Sequence, residues 1–312
     1  MSVYLLLIVL FAFICFEGYR FRSDIKAAYE RLNHYEVKSI NTSFGKMTYL
    51  DEGSGEAMII SHGIFGGYDQ GLTSLRQVVG DRQRKISPSR FGYVGTELPQ
   101  EPTPKNQAKA FVELLDQLKI EKSYVLGTSA GGAATLRMAL EHPHRVKGII
   151  LLSSGAPDKK RSPDEVKAMG LQGPPPIIVN DFIMWFTMKH FGFIFNHMMG
   201  SRVVTNTLFE TMLPATPRRK GVKADSEITN TDMTLNYEDY PLEQLNVPVL
   251  VCHAKDDPMA NYEAIDKVIQ RVTDADTAIC ETGGHTIEGN GDFVNQAILD
   301  FIDKTNRAEK FS

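Results

Sequence analysis

The tightest constraint on the fold is a cluster of glycines set between a strand pattern and a helix pattern. Ser123 to Gly127 is a short apolar run that reads as a strand. Ala130 to Leu140 opens with small residues and reads as a helix, stopped by His142-Pro143. The junction is Gly127-Thr128-Ser129-Ala130-Gly131, followed by Gly132. It fits the pattern G-x-S-x-G. A strand-to-helix turn of this kind is too tight for neighbouring Cβ atoms and holds its serine in a strained backbone conformation. It lifts the Ser129 hydroxyl off the sheet, next to the unpaired N–H groups that open the following helix. The bare pattern is common by chance, and the strand–helix context makes it specific.

The rest of the chain supplies that context. Strands are expected at Met47–Leu50, Ala57–Ser61, Arg84–Ser87, Val146–Leu152, Val247–His253 and Thr277–Cys280. Helices are expected at Gln107–Leu118, Asn261–Val272 and Phe293–Ile302. Short alternating strands and helices imply an α/β fold, a mostly parallel sheet with helices on both faces. The alternation breaks once, between about Asp158 and Gln244. That stretch holds Gly173-Pro174-Pro175-Pro176 and then Asp181 to Met199, crowded with Phe, Met and Trp185. It reads as an inserted helical cap. A chain of 312 residues is long enough for one large α/β domain with such an insertion.

The N-terminus differs from the rest. Val3 to Phe16 is unbroken apolar sequence, ended by Glu17 and followed by Arg20, Arg22, Lys26 and Arg31. No Lys or Arg precedes the run, and Phe13-Ile14-Cys15-Phe16 makes a poor cleavage site. The reading is therefore an uncleaved membrane anchor, with a cleaved signal and a secreted or periplasmic product as the alternative. Ile25, Ala28, Leu32 and Tyr35 then recur at helical spacing as a short stalk. The expected organisation is an anchor or signal segment over 1–22, a stalk over 23–43, core over 44–157, cap over 158–244 and core again over 245–312.

On these motifs the chain resembles the α/β-hydrolase family, of the type with a helical cap, from about Phe44 to Ile302. His62-Gly63-Ile64-Phe65-Gly66-Gly67, after an apolar strand, resembles the family's HG motif. The likeness implies that the backbone N–H groups of Ile64 and Ala130 bind an oxyanion, while His62 orients the loop. The family's chain order is serine, acid, histidine. His253-Ala254-Lys255-Asp256-Asp257-Pro258 resembles its G-x-x-D loop with Ala254 at the glycine position, which puts the acid at Asp257. Asp256 and Asp158 are the competitors. His285, in Gly283-Gly284-His285-Thr286 after the last strand, takes the base position. Pro88-Ser89-Arg90-Phe91-Gly92-Tyr93 departs from the Asp-x-x-Gly-x-Gly-x-Ser loop of many relatives and resembles a bacterial subgroup with S-R-x-G-Y. Arg90 is expected to tie down that loop rather than to bind substrate.

The implied activity is hydrolysis of a carboxylic ester by a Ser129–His285–Asp257 triad. A thioesterase, an amidase or peptidase, a C–C bond hydrolase and a non-catalytic binding protein are the rivals. The apolar insertion and the anchor favour a lipophilic small-molecule or lipid ester, with the membrane as a partner. Phe182, Trp185, Phe186, Phe191, Phe193, Phe195, Met198 and Met199 are expected mostly to pack the cap onto the sheet, with some lining an acyl pocket. No cofactor or metal is expected, because the glycine-rich loop lacks a phosphate-loop Lys and no Cys pair has zinc spacing. A net charge of −4 without a long basic run argues against nucleic acid. Arg218-Arg219-Lys220 reads as a solvated face. Cys252 and Cys280 fall in strand-like runs and read as packing residues.

Overall fold

A computed structural model describes residues 3–170, 172–201 and 210–309. Among the described residues, eight strands form one sheet in the order β1-β2-β4-β3-β5-β6-β7-β8. The strands are β1 (Lys38–Thr42), β2 (Gly45–Glu52), β3 (Ala57–Ser61), β4 (Arg84–Pro88), β5 (Ser123–Thr128), β6 (Val146–Leu152), β7 (Val249–Ala254) and β8 (Asp276–Cys280). β1 and β2 are antiparallel, β2 meets β4 antiparallel, and the remaining pairings are parallel.

The central strands are apolar throughout because both of their faces are covered. Alternation along each strand sorts them into two cores. Ile59, Val125, Ile149 and Val251 face one side. There they pack under α3 (Pro104–Gln117), α4 (Gly132–Glu141) and α9 (Tyr262–Arg271). Met58, Ile60, Leu126, Ile150, Leu250 and Cys252 face the other side. These lie under α2 (Tyr68–Val79) and α10 (Gly291–Glu309). Cys252 and Cys280 are buried in that second core as free thiols, and burial pushes both thiols up from their ordinary pKa.

Between β6 and β7 the described chain is helical. It forms α5 (Pro163–Ala168), α6 (Asp181–Met199), α7 (Arg219–Ala224) and α8 (Asn230–Leu235). Three sequence expectations need correction here. First, the segment expected as an anchor or signal and the first part of the expected stalk are one helix, α1 (Val3–Asn33), and the last part of the expected stalk is β1, the edge strand. Helical spacing in α1 does not stop at residue 22, and the alternating Lys38–Thr42 is too short and too exposed to stand out as a strand.

Second, the aromatic residues of α6 do not mainly cover the sheet. Trp185 is buried, but its cluster holds Phe21, Ile25 and Ala28 of α1, so much of this apolar surface receives the N-terminal helix. Third, Arg218 is fully buried. Its guanidinium forks onto Asp69 at the start of α2, Nη1 to Oδ1 at 3.1 Å and Nη2 to Oδ2 at 2.8 Å. Arg219 is exposed but donates from Nε to the Val179 carbonyl at 2.9 Å.

Candidate active site

Six parallel strands, β3 to β8, end on the same edge of the sheet, where loops carry polar side chains. Ser129 follows β5 directly and has φ of +49°, a left-handed value that a non-glycine residue holds only where the fold enforces it. The enforcement comes from close packing behind the turn. A Cβ added at Gly131 would lie 1.9 Å from the Ser61 carbonyl oxygen, and one at Gly132 would lie 1.6 Å from Ser154 Oγ. A side chain at either position would clash, so the turn packs this closely against the end of β3 and the loop after β6 only because glycine stands at both.

His285 sits in the single helical turn Gly284–Thr286 after β8. Its Nε2 is 2.9 Å from Ser129 Oγ and its Nδ1 is 2.8 Å from Asp257 Oδ2. Asp257 lies in the loop after β7 and is buried. Its other oxygen accepts from the Met259 and Ala260 N–H groups at 2.8 and 3.0 Å. Burial raises the pKa of this carboxyl, but the His285 contact and the two N–H groups outweigh it and hold the pKa below the usual range. An ionised Asp257 accepts only, so Nδ1 carries the imidazole proton. The Nε2 lone pair then faces the serine hydroxyl.

The two competing acids go elsewhere. Asp256 is exposed and accepts from the Gly284 and Gly283 N–H groups at 2.8 and 3.3 Å, which pins the loop carrying His285. Asp158 accepts from Arg161 at 3.3 Å. Asp257→Asn is expected to lower kcat about 10⁴-fold by presenting the wrong imidazole tautomer. Asp256→Asn, which alters only the loop's tether, is expected to lose about tenfold or less at the cost of a surface hydrogen bond. Steady-state kinetics on the two variants distinguishes these roles, and equal losses would undo the assignment.

The HG loop lies against the serine. A Cβ on Gly63 would sit 3.2 Å from Ser129 Cβ, so the Ile64 N–H is one peptide away from that contact. Ala130 is the middle residue of the single turn Ser129–Gly131, where backbone N–H groups have no helical partner. His62 is buried. Its Nδ1 donates to the Gly63 carbonyl at 2.8 Å, and its Nε2 accepts from the Arg90 N–H at 3.0 Å. Burial, aided by the Arg90 charge, pushes its pKa well down, which keeps it neutral and able to do both.

Arg90 does not open onto the serine. Its Nε donates to the His62 carbonyl at 2.7 Å, and its fork meets Asp225 at 2.7 and 2.5 Å. Tyr93 donates to the same carboxylate at 2.5 Å. The S-R-x-G-Y segment therefore fastens the HG loop to the inserted helices. Asp225 and Asp69 were not singled out in the sequence, and Asp256 was singled out only as a rival acid, not as the tether of the His285 loop. Their partners stand 28 to 149 residues away, and an isolated Asp gives no pattern.

Taken together, the fold and site define a nucleophile-elbow protein in which a hydroxyl, an imidazole and a carboxylate are joined by hydrogen bonds. The comparisons agree on the class: residues 56–288 match the family described as the alpha/beta hydrolase fold, and the chain belongs to that family. It is 24% identical to Lipase 1 of Psychrobacter immobilis over 266 residues, 82% of this chain and 81% of that one. Over 110 residues it is 33% identical to the 2-hydroxy-6-oxo-6-phenylhexa-2,4-dienoate hydrolase of Burkholderia cepacia, 34% of this chain and 38% of that one. Carboxylesterase CesB of Bacillus subtilis has a similar structure, with a TM-score of 0.63 and 19% identity, covering 92% of this chain and 98% of that one.

Proposed function

We propose that this protein is a serine hydrolase of lipophilic carboxylic esters, held at a membrane by α1. The observation that carries the reading is the hydrogen-bonded chain from Ser129 Oγ through His285 to Asp257, set on a strained turn. Ser129 Oγ attacks the ester carbonyl carbon as its proton passes to His285 Nε2. Asp257 stabilises the imidazolium and keeps its tautomer. The N–H groups of Ile64 and Ala130 take the negative charge on the carbonyl oxygen. Collapse of the tetrahedral species returns the proton to the departing alkoxide and leaves an acyl group on Ser129. Water, deprotonated by His285, then releases the acid by the same steps.

Ester rather than another acyl bond is supported by the lipase named among the relatives, which is matched over most of both chains. A second reading, cleavage of a carbon–carbon bond beside a carbonyl, is favoured by the dienoate hydrolase, whose match is confined to about a third of this chain. Membrane attachment is supported by the apolar part of α1, which has a mean hydropathy of 1.9 and is 6% buried.

Matched 4-nitrophenyl esters, thioesters and anilides from acetyl to octanoyl test this reading. Esters are expected to turn over fastest. Their kcat/KM is expected to rise about fourfold per methylene, the equivalent of about 0.8 kcal/mol of apolar burial. Faster thioester or anilide turnover, or a flat chain-length profile, would refute it.

A further inference from the structure

α1 and α6 run antiparallel, and three contacts set their register. Tyr29 Oη donates to Asp181 Oδ2 at 3.0 Å, Trp185 Nε1 donates to Asp24 Oδ2 at 2.8 Å, and His190 Nε2 meets Glu17 Oε2 at 3.1 Å. Phe21 fills the seam, edge-on to Phe182 and Trp185 with ring centres 5.2 and 5.5 Å apart. Numbering falls along α1 as it rises along α6. The apolar run below Glu17 therefore leaves the domain on the side to which α6 continues past His190.

What α6 presents there is largely apolar and, among the described residues, exposed. At Phe191 its backbone leaves helical values, with φ of −129°. Beyond that kink Phe193 is 68% exposed and Met198 49%. Phe191 and Ile194 are exposed beside them. The far end of the same segment reaches the candidate active site: a Cβ on Gly284 would lie 2.3 Å from the Met199 carbonyl oxygen, and Ser201 Oγ is 2.6 Å from Thr286 Oγ1. One stretch of chain thus bridges the exit of the apolar helix and the turn that carries His285.

The length of the apolar run points to what covers this face. Val3 to Phe16 is 14 residues. In a helix they measure about 21 Å, against roughly 30 Å of bilayer hydrocarbon. The run falls about 9 Å short, and an apolar face that sinks roughly 5–10 Å into the lipid interface makes up that difference. The cations at this edge fit the depth. Lys189 pairs with Asp24 at 3.1 Å, Arg20 pairs with Glu17 at 3.0 Å while lying over the Phe16 ring, and Tyr19 is exposed two residues past Glu17, where an interfacial aromatic would sit.

We propose that the α6 face from Phe191 to Met198 lies in the lipid interface beside α1, so that substrate reaches the His285 side of the site from the bilayer rather than from water. The part concerning substrate rests on the ester-hydrolase reading, whereas the part concerning lipid contact does not.

The full-length chain is reconstituted into phosphatidylcholine vesicles with Trp185→Phe, so that a single introduced tryptophan reports. Phe193→Trp is expected to be quenched by phosphatidylcholine brominated near the headgroup end of its acyl chains, and Phe13→Trp by lipid brominated near the chain ends. An unquenched Trp at 193 or at 13 overturns the proposal. In the otherwise unchanged protein, Phe193→Ser/Ile194→Ser is expected to slow hydrolysis of a long-chain ester embedded in vesicles about tenfold or more, given two lost apolar anchors. Turnover of a water-soluble short-chain ester should stay the same. Equal effects on both esters overturn the access route. Failure on every ester with quenching intact would instead overturn the ester reading and leave the lipid contact standing.

Discussion

Ser129→Ala is expected to lower kcat for the preferred ester by about 10⁶-fold, and Ser129→Ala/His285→Ala by little more. The reason is that the hydroxyl and the imidazole do one job. With no Oγ there is no proton for His285 Nε2 to take, and with no Nε2 lone pair 2.9 Å away the hydroxyl stays a poor nucleophile. On the proposed mechanism, residual turnover is expected to come from the N–H groups of Ile64 and Ala130 and from substrate binding near them. Kinetics on the single and double variants checks this. Losses that multiply would mean that the two side chains act independently, which the continuous hydrogen-bond chain does not allow.

The largest effect on stability is expected at Arg218. Asp69 and Arg218 are both fully buried, and Arg31 of α1 adds a second cation to Asp69 Oδ2 at 2.7 Å. Burial disfavours the charged carboxyl, but Arg218 first and Arg31 second outweigh it and hold the Asp69 pKa down. Arg218 also satisfies the Pro214 carbonyl through Nε at 3.1 Å and the Gly66 carbonyl through Nη1.

Arg218→Met therefore leaves a buried carboxylate half-compensated and two carbonyls unpaired, at a cost of about 3–5 kcal/mol. At roughly 2–4 °C per kcal/mol, Tm should fall by on the order of 10 °C. Arg31→Met removes a partly exposed partner and leaves the Arg218 fork in place, so it should cost only about 1 kcal/mol. Asp69→Leu/Arg218→Met should recover part of the loss, because no charge is then left buried alone. Thermal unfolding of the full-length variants measures all three. A shift under about 3 °C for Arg218→Met would mean that water reaches Asp69 and that the pair is not a buried one.

The same residues mark what the sequence made legible. The elbow could be read because each glycine has a steric reason to be there and the flanking strand and helix have clear periods. β3, β5, β6 and β7 stood out because strands buried on both faces are apolar runs. α2 did not stand out. Gly71 interrupts its pattern, and Asp69 and Gln70 are polar yet buried. Gly71 is there because a Cβ would lie 2.3 Å from Ser87 Oγ, a packing demand that no local pattern carries.

Chain order and the likeness to the G-x-x-D loop pointed to Asp257, which lies beside His285, whereas the contact of its neighbour Asp256 depends on a loop 28 residues further on. Arg218 looked like one of three surface cations because charge in a sequence carries no sign of burial, and its partner stands 149 residues away. The tie between α1 and α6 was hidden in the same way. Asp24 and Trp185 are 161 residues apart, and nothing near either one signals the other.

The most direct test of the central claim is to label the full-length protein with a fluorophosphonate probe and locate the modified residue by mass spectrometry. The expected result is phosphonylation of Ser129 alone, abolished by His285→Ala and strongly slowed by Asp257→Asn. A folded protein that takes no label at Ser129, or takes it equally well without His285, would contradict an activated serine at this elbow.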